Sequence, residues 1–318
     1  MQKNYILITG VNGFIGSSVA KALLNNNYSV LGVSIEATSK VQLPNFVYQQ
    51  VDIKNKSALE KLFSTYNICS VIHLAAIVHK NSNDLSYDSY YNTNYLASKT
   101  IFDLSNQHKI QKLLFASTIE IYGNRQEQII NEDLIPLPTS VYAKTKFLAE
   151  KELLDTNNVF NYAIMRFAPV YDKNFRLNIN KRIYLIPDKL AYYFKKGDYS
   201  FNFCSLNNII DFILDYLKLT KNISGIFNIS DQKNFQVKEI IALEKKRKNN
   251  NILIIKLPYA LVFFIILLYE KLSKIFSKKD KTISVYNFNK LFKSTVYDNK
   301  KAMTISPFKW DIKNTLYE

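Results

Sequence analysis

Tyr142 and Lys146 stand four residues apart in the run YAKTK, where a helical pattern begins. That spacing puts both side chains on one helix face. A phenol ionises near pH 10, so it becomes a base at neutral pH only when a cation stabilises its phenolate. Lys146 can be that cation, and the pair can then take a proton from a substrate hydroxyl. A solvent-facing Tyr and Lys have the same spacing, so the pair needs support from elsewhere in the chain.

Support comes from the glycines. The chain keeps only 7 in 318 residues, and Gly10, Gly13 and Gly16 fall together. They directly follow the apolar run YILIT and precede an amphipathic run opened by Ser17. In that setting the first glycine permits a tight turn, the second lets backbone approach a pyrophosphate, and the third lets helix pack on strand. The helix then turns its positive end to the phosphates. Dinucleotide binding follows, with Asn12, Phe14 and Ile15 inside the same loop, and an oxidised nicotinamide would add a second positive charge near Tyr142. An acidic residue normally ends the second strand and takes the ribose hydroxyls. Here VLGVSIE offers Ser34, with Glu36 two residues later, so NAD is expected and NADP is left open.

These groups need a frame. Short apolar runs at Tyr5 to Thr9, Ser29 to Val33, Phe46 to Val51, Ser70 to Leu74, Lys112 to Ala116 and Tyr162 to Phe167 read as strands. Between them Ile15 to Asn25, Ser57 to Tyr66, Tyr91 to Gln107 and Ser140 to Leu154 carry helical spacing. The alternation predicts an α/β fold, a Rossmann-like doubly wound parallel sheet, with a smaller C-terminal substrate lobe. The expected division is an NAD(P)-binding domain over 1–168 and a mainly substrate-binding lobe over 169–318, with some interleaving.

Composition narrows the function classes. Cys69 and Cys204 lack any paired spacing, and His73, His79 and His108 are scattered, so neither a disulfide framework nor a metal is expected. The N-terminus enters a β-type run without a leader pattern, which suits a cytoplasmic protein. The net charge is +16, and sixteen Lys and Arg against five Asp and Glu lie from Lys245 to Glu318. The excess is thus a property of the tail, read first as a solvated surface, and no nucleic-acid motif accompanies it. Leu257 to Tyr269 is an uncharged run too short to span a bilayer, which needs about 20 apolar residues. It reads as a core or dimer-interface helix, with peripheral membrane contact as the lesser alternative.

The GxxGxxG spacing of Gly10, Gly13 and Gly16 resembles the short-chain dehydrogenases/reductases. Further runs follow in order along the chain: HLAA at His73 to Ala76, NYLAS from Asn94, KLLFASTIEIYG from Lys112, RFAPVY from Arg166 and GIFNIS from Gly225. Together they cover most of residues 4 to 230 and resemble the extended branch, whose epimerases, dehydratases, decarboxylases and reductases act on nucleotide-diphosphate sugars. The resemblance implies that Thr118 holds the substrate oxygen whose proton Tyr142 removes, with Ser117 as fallback. It also implies cofactor contacts at Asp52, Ile53, Leu74, Ala75, Ala76, Asn94, Tyr142, Lys146, Phe167 and Pro169, and a homodimer.

The family's 4,6-dehydratases carry Thr-Asp-Glu where this chain has Thr118, Ile119 and Glu120. Ile119 cannot donate a proton, so hydride transfer at sugar C4 is the simplest chemistry left. It would serve an epimerase or a 4-keto reductase, with surface-polysaccharide sugar biosynthesis as the implied setting. The alternatives are a dehydratase or decarboxylase using Glu120 and a non-catalytic NAD(P)-binding sensor or scaffold, although the latter would be expected to lose Thr118, Tyr142 or Lys146. Asp172 replaces the usual glycine after Val-Tyr, and Phe201 and Asn202 stand where a basic residue often meets the nucleotide. Arg176, Lys181, Arg182 and Lys293 are the candidate cations for the diphosphate.

Overall fold

The computed structural model describes residues 3–78, 86–123, 127–275, 285–290, 292 and 295–318. Its first half runs β1 (Tyr5–Thr9), α1 (Phe14–Asn25), β2 (Val30–Ser34), β3 (Phe46–Gln50), α2 (Lys56–Thr65), β4 (Ile68–His73), α3 (Tyr87–Tyr90), a π-helical segment (Tyr91–Leu96) and α4 (Ala97–Gln107). It continues with β5 (Lys112–Thr118), a 3-10 turn (Ile119–Tyr122), β6 (Ile129–Ile130), α5 (Val141–Asp155) and β7 (Asn161–Phe167). The second half runs β8 (Val170–Tyr171), α6 (Leu177–Ile183), β9 (Tyr184–Ile186), β10 (Leu190–Phe194), β11 (Cys204–Ser205), α7 (Leu206–Lys218) and β12 (Gly225–Ile229). It ends with α8 (Val237–Arg247), β13 (Leu253–Leu257), α9 (Tyr259–Ile275), α10 (Val285–Lys290), β14 (Val296–Tyr297), α11 (Lys300–Met303) and α12 (Ile312–Leu316).

Seven strands form one sheet in the order β12-β7-β5-β4-β1-β2-β3, and every pairing is parallel. Strand side chains alternate between two cores, which is why their sequences read as continuous apolar runs. Ile6, Ile8, Leu114 and Met165 pack toward α1 and α7, while Leu7, Val71, Phe115 and Ile164 pack toward α2, α4 and α5. The strand order reverses between β1 and β4, and at such a switch point the strand ends open a crevice for ligand. The glycine turn lies there.

The seventh strand, β12, comes from beyond residue 168 and pairs with β7 from Gly225↔Ala163 to Ile229↔Phe167. The chain outside the sheet forms a lobe around a third core, where β13-β10-β9 make a small sheet beside α6 and α8. Two expectations are corrected. The stretch expected as one helix from Tyr91 to Gln107 begins as a π segment, because Asn94 turns inward and is drawn into the backbone at Ile77. The uncharged segment expected as a core or dimer-interface helix, now α9, is not a core helix, being buried on one face only: Tyr259, Val262, Phe263 and Ile266 pack on the lobe, while Leu261, Phe264, Ile265 and Leu268 are exposed. Periodicity alone could not place that second face.

Candidate active site

The glycine turn is built for close approach. Gly10 has φ +69°, and a Cβ there would lie 2.9 Å from the Ala75 backbone; one on Gly16 would lie 2.2 Å from the Gly10 carbonyl oxygen. No side chain caps the start of α1, so its first N–H groups remain available at the crevice. Beneath the turn, the Leu74 and Ala75 N–H groups donate to Thr9 Oγ1 at 3.2 and 3.1 Å. Thr9 bonds His73 Nδ1 at 2.6 Å, His73 Nε2 bonds Ser98 Oγ at 2.8 Å, and Ser98 donates to the Asn94 carbonyl at 2.8 Å. With Ser98 committed as donor, its oxygen accepts from Nε2–H, and Nδ1 accepts from Thr9. Burial holds the His73 imidazole well below its usual range, hence neutral, and the Lys146 charge adds to this. One polar chain thus locks the ends of β1 and β4 to the π segment. Asn94 completes it, accepting from Ile77 N at 2.8 Å and donating to Ile77 O at 3.0 Å and Thr145 Oγ1 at 3.3 Å.

At the end of β2 the Ser34 hydroxyl donates to the Glu36 carboxylate, which Asn12 also approaches at 3.4 Å. The Ser34 bond, then the backbone of Glu36 itself, hold this carboxyl below its ordinary value. Asn12 also accepts from Lys40 N at 2.9 Å, and Lys40 Nζ reaches the Asn12 carbonyl at 2.9 Å. Glu36, not Ser34, is therefore the charged group beside the turn. Its position two residues past the strand was the available sign. Asp52 accepts from Lys54 N at 3.0 Å and pairs with Lys54 Nζ at 3.3 Å, whereas Ile53 is buried in the core. Phe14 stacks on Phe175 at 4.2 Å, joining the glycine turn to the lobe; nothing in the sequence announced that contact.

The reactive side chains come from two elements. Thr118 ends β5, and its Oγ1 accepts from Glu120 N at 3.2 Å, opening the 3-10 turn. The turn closes at Gly123 (φ +66°), where a Cβ would lie 1.9 Å from the Leu137 carbonyl oxygen. The chain then returns to Ser140, which caps α5 by accepting from Ala143 N at 3.1 Å and donates to Glu120 Oε2 at 3.3 Å. This fold-back sets Thr118 and Glu120 against Tyr142. Burial, then the Glu120 charge, push the Tyr142 phenol well above its ordinary value, and a hydrogen bond with Thr118 partly opposes them.

One turn on, Lys146 is 1% exposed, with Nζ 4.0 Å from the centre of the Phe115 ring. Burial brings its ammonium down to about 7, and Glu150 acts in the opposite direction. Glu150 lies four residues further along α5 and is held by Arg166, with Nη2 to Oε2 at 2.7 Å; both are fully buried. Arg166 in turn donates to Tyr122 Oη at 2.8 Å, which bonds Asn228 at 2.6 Å. Ser117 donates to Glu150, and its register with Arg166 on β7 puts both on the same sheet face. The fallback residue Ser117 is thus built into the support beneath Lys146, and Thr118 is the hydroxyl beside Tyr142. The Tyr142, Lys146, Glu150 spacing of four was a legible sign of that support.

Of the candidate cations, Arg176 is occupied: its guanidinium pairs with buried Glu244 and reaches Tyr317 Oη at 3.2 Å. Lys181 is exposed on α6, and Lys293 lies outside the described residues. Arg182 is different, since it is half-buried between Phe201 and Phe203, at 5.3 and 5.2 Å, and feels the Glu120 charge. Burial lowers its ionisation range, and Glu120 opposes that. Phe167 is buried at the end of β7, and the Pro169 carbonyl accepts from Cys204 N at 3.1 Å.

Comparison with known proteins agrees with this construction. UDP-glucose 4-epimerase of Dictyostelium discoideum is 33% identical over 178 residues, 52% of each chain. UDP-glucuronate 4-epimerase of Thermodesulfobacterium geofontis is 34% identical over 182 residues, 52% of this chain and 56% of that one. The matched stretch is thus about half the length of these relatives. Among solved structures, UDP-glucose 4-epimerase from Thermotoga maritima with UDP-glucose aligns at TM-score 0.74 and 21% identity over 98% of this chain and 96% of that one. UDP-glucuronic acid 4-epimerase from Bacillus cereus in complex with NAD aligns at TM-score 0.73 and 23% identity, covering 98% and 95%. At those identities the likeness is one of fold. The NAD dependent epimerase/dehydratase family model matches residues 6–229, which contain the glycine turn, Thr118, Tyr142 and Lys146. By that match the chain belongs to the NAD dependent epimerase/dehydratase family.

Proposed function

We propose that the protein is an NAD-dependent C4 epimerase of a UDP-linked sugar, acting in the cytoplasm. The observation that carries this reading is the Tyr142 phenol hydrogen-bonded to Thr118, one helical turn from buried Lys146 and beside a glycine turn open to a dinucleotide. The residues fit the cofactor. Gly10, Gly13 and Gly16 leave the space a pyrophosphate requires, the start of α1 supplies donors, and Glu36 suits ribose hydroxyls while repelling a 2′-phosphate. Bound NAD would supply a hydride acceptor and a positive charge.

The chain's own part is to bind, orient and move a proton. Thr118 fixes the C4 hydroxyl, and Tyr142 takes its proton as hydride leaves that carbon. Lys146 makes the phenolate accessible, and the Glu150 carboxylate, held in place by Arg166, favours the charged form of Lys146 against its burial. Arg182, wedged between two phenylalanines, is the cation offered to the substrate's anionic end. After the keto sugar turns over, Tyr142 returns its proton to the C4 oxygen as hydride is given back to the opposite face of that carbon. Glu120 beside the phenol favours a second reading, in which it serves as base in a dehydration or decarboxylation.

The test is incubation with UDP-glucose, UDP-glucuronate, their C4 epimers and 4-keto forms, with NAD, NADH, NADP or NADPH, followed by mass spectrometry. An isomer of unchanged mass is expected. A gain of two hydrogens with net oxidation of NADH or NADPH would make the enzyme a reductase, and loss of water or carbon dioxide would support the Glu120 reading.

A further inference from the structure

The outer face of α9 is an apolar stripe. Leu261, Phe264, Ile265, Leu268 and Leu272 recur at helical spacing, and Leu261 and Phe264 are 56% and 59% exposed. A continuous exposed stripe of this kind marks an interaction surface more than stray exposure does. The inner face of the helix is held in place on the lobe, because Tyr259 stacks on Phe288 of α10 at 5.3 Å and donates to Asn289 Oδ1 at 2.8 Å.

The charges around the stripe name the partner. Lys271 shares the face of Phe264 and Leu268, being seven and three residues beyond them. Lys256 is exposed just before the helix, and Lys195 reaches over the Tyr259 ring at 4.6 Å near its start. The helix's one acidic residue, Glu270, accepts from Val285 N at 3.0 Å. The tail from Lys245 onward carries sixteen Lys and Arg against five Asp and Glu. A second copy would bring like charge to like charge, whereas anionic headgroups complement the lysines while acyl chains take the stripe. Among the described residues no helix is long and apolar enough to cross a membrane, so α9 would lie in the interface plane. Its 17 residues extend about 25 Å.

We propose that α9 docks the protein on an anionic lipid surface through Leu261, Phe264, Ile265, Leu268 and Leu272, with Lys271, Lys256 and Lys195 meeting the headgroups. The experiment is flotation of the full chain with vesicles of phosphatidylcholine alone and of phosphatidylcholine mixed with phosphatidylglycerol, at low and high salt. The wild type should float with the anionic vesicles at low salt, more weakly at high salt and hardly at all with neutral ones. The double substitution Phe264→Glu with Leu268→Glu should reduce flotation by roughly tenfold or more while leaving the melting temperature and NAD binding unchanged. Equal flotation of the double variant, or none of the wild type, would overturn the proposal. If the wild type does not float and the same variant turns a dimer into monomers, the stripe is an interface between copies instead.

Discussion

At Tyr142 the protein holds a phenol that burial and Glu120 both keep protonated, beside a lysine that burial has brought to about 7. Tyr142→Phe should lower turnover by about 10²–10⁴-fold with NAD affinity retained, measured by steady-state kinetics and calorimetry. Thr118 and Ser117 are neighbours with opposite surroundings. Thr118→Val should cut kcat by roughly 10² or more, whereas Ser117→Ala should leave kcat within a few fold and lower stability by about 1 kcal/mol, read by urea unfolding. Lys146 also makes a pH prediction. Its folded pKa of about 7 lies below the ordinary 10.5, so between those values the unfolded chain binds the extra proton. Stability therefore rises with pH across that window, and the burial penalty is fully present below about 7. Urea midpoints from about pH 7 to 9.5 should climb more for the wild type than for Lys146→Met. Glu36 should favour NAD over NADP, and Glu36→Gln should narrow that preference in binding assays.

The elements that carry these residues are positioned by groups that touch no ligand. The β1 turn depends on absent Cβ atoms, so Gly16→Ala should abolish NAD binding and cost roughly 1–3 kcal/mol, checked by calorimetry and thermal melting. The β5–α5–β7 junction depends on the buried Glu150–Arg166 pair. Replacing Arg166 alone with Met leaves an uncompensated carboxylate and should cost about 3–5 kcal/mol, measured by urea unfolding. Much of this layer was legible. The main-sheet strands from Tyr5 to Phe167 and the helix bearing Tyr142 and Lys146 lie within one or two residues of their sequence-based limits, whereas the short β6 was not expected. Their periods are set locally by alternation and by caps such as Ser140 and Asn55. The π segment was not legible, because it is imposed by Asn94 reaching the backbone at Ile77, a contact 17 residues away in the chain.

Across the whole molecule, what escaped the sequence lies where parts from distant stretches meet. Phe14 on Phe175, Arg182 beside Glu120, and Arg176 committed to Glu244 all join the sheet to the lobe or fix the lobe itself. No periodicity links such pairs, and a basic residue looks the same whether its partner is a phosphate or a buried carboxylate. The glycine turn and the Tyr142–Lys146 pair were readable because each is a local pattern with one physical purpose. The most direct test follows one hydrogen through turnover. UDP-glucose or UDP-glucuronate carrying deuterium at C4 should give its C4 epimer with the deuterium retained and no net consumption of NAD, and Tyr142→Phe should stop it. Exchange of that deuterium with solvent, a product of different mass, or undiminished turnover in Tyr142→Phe would contradict the account.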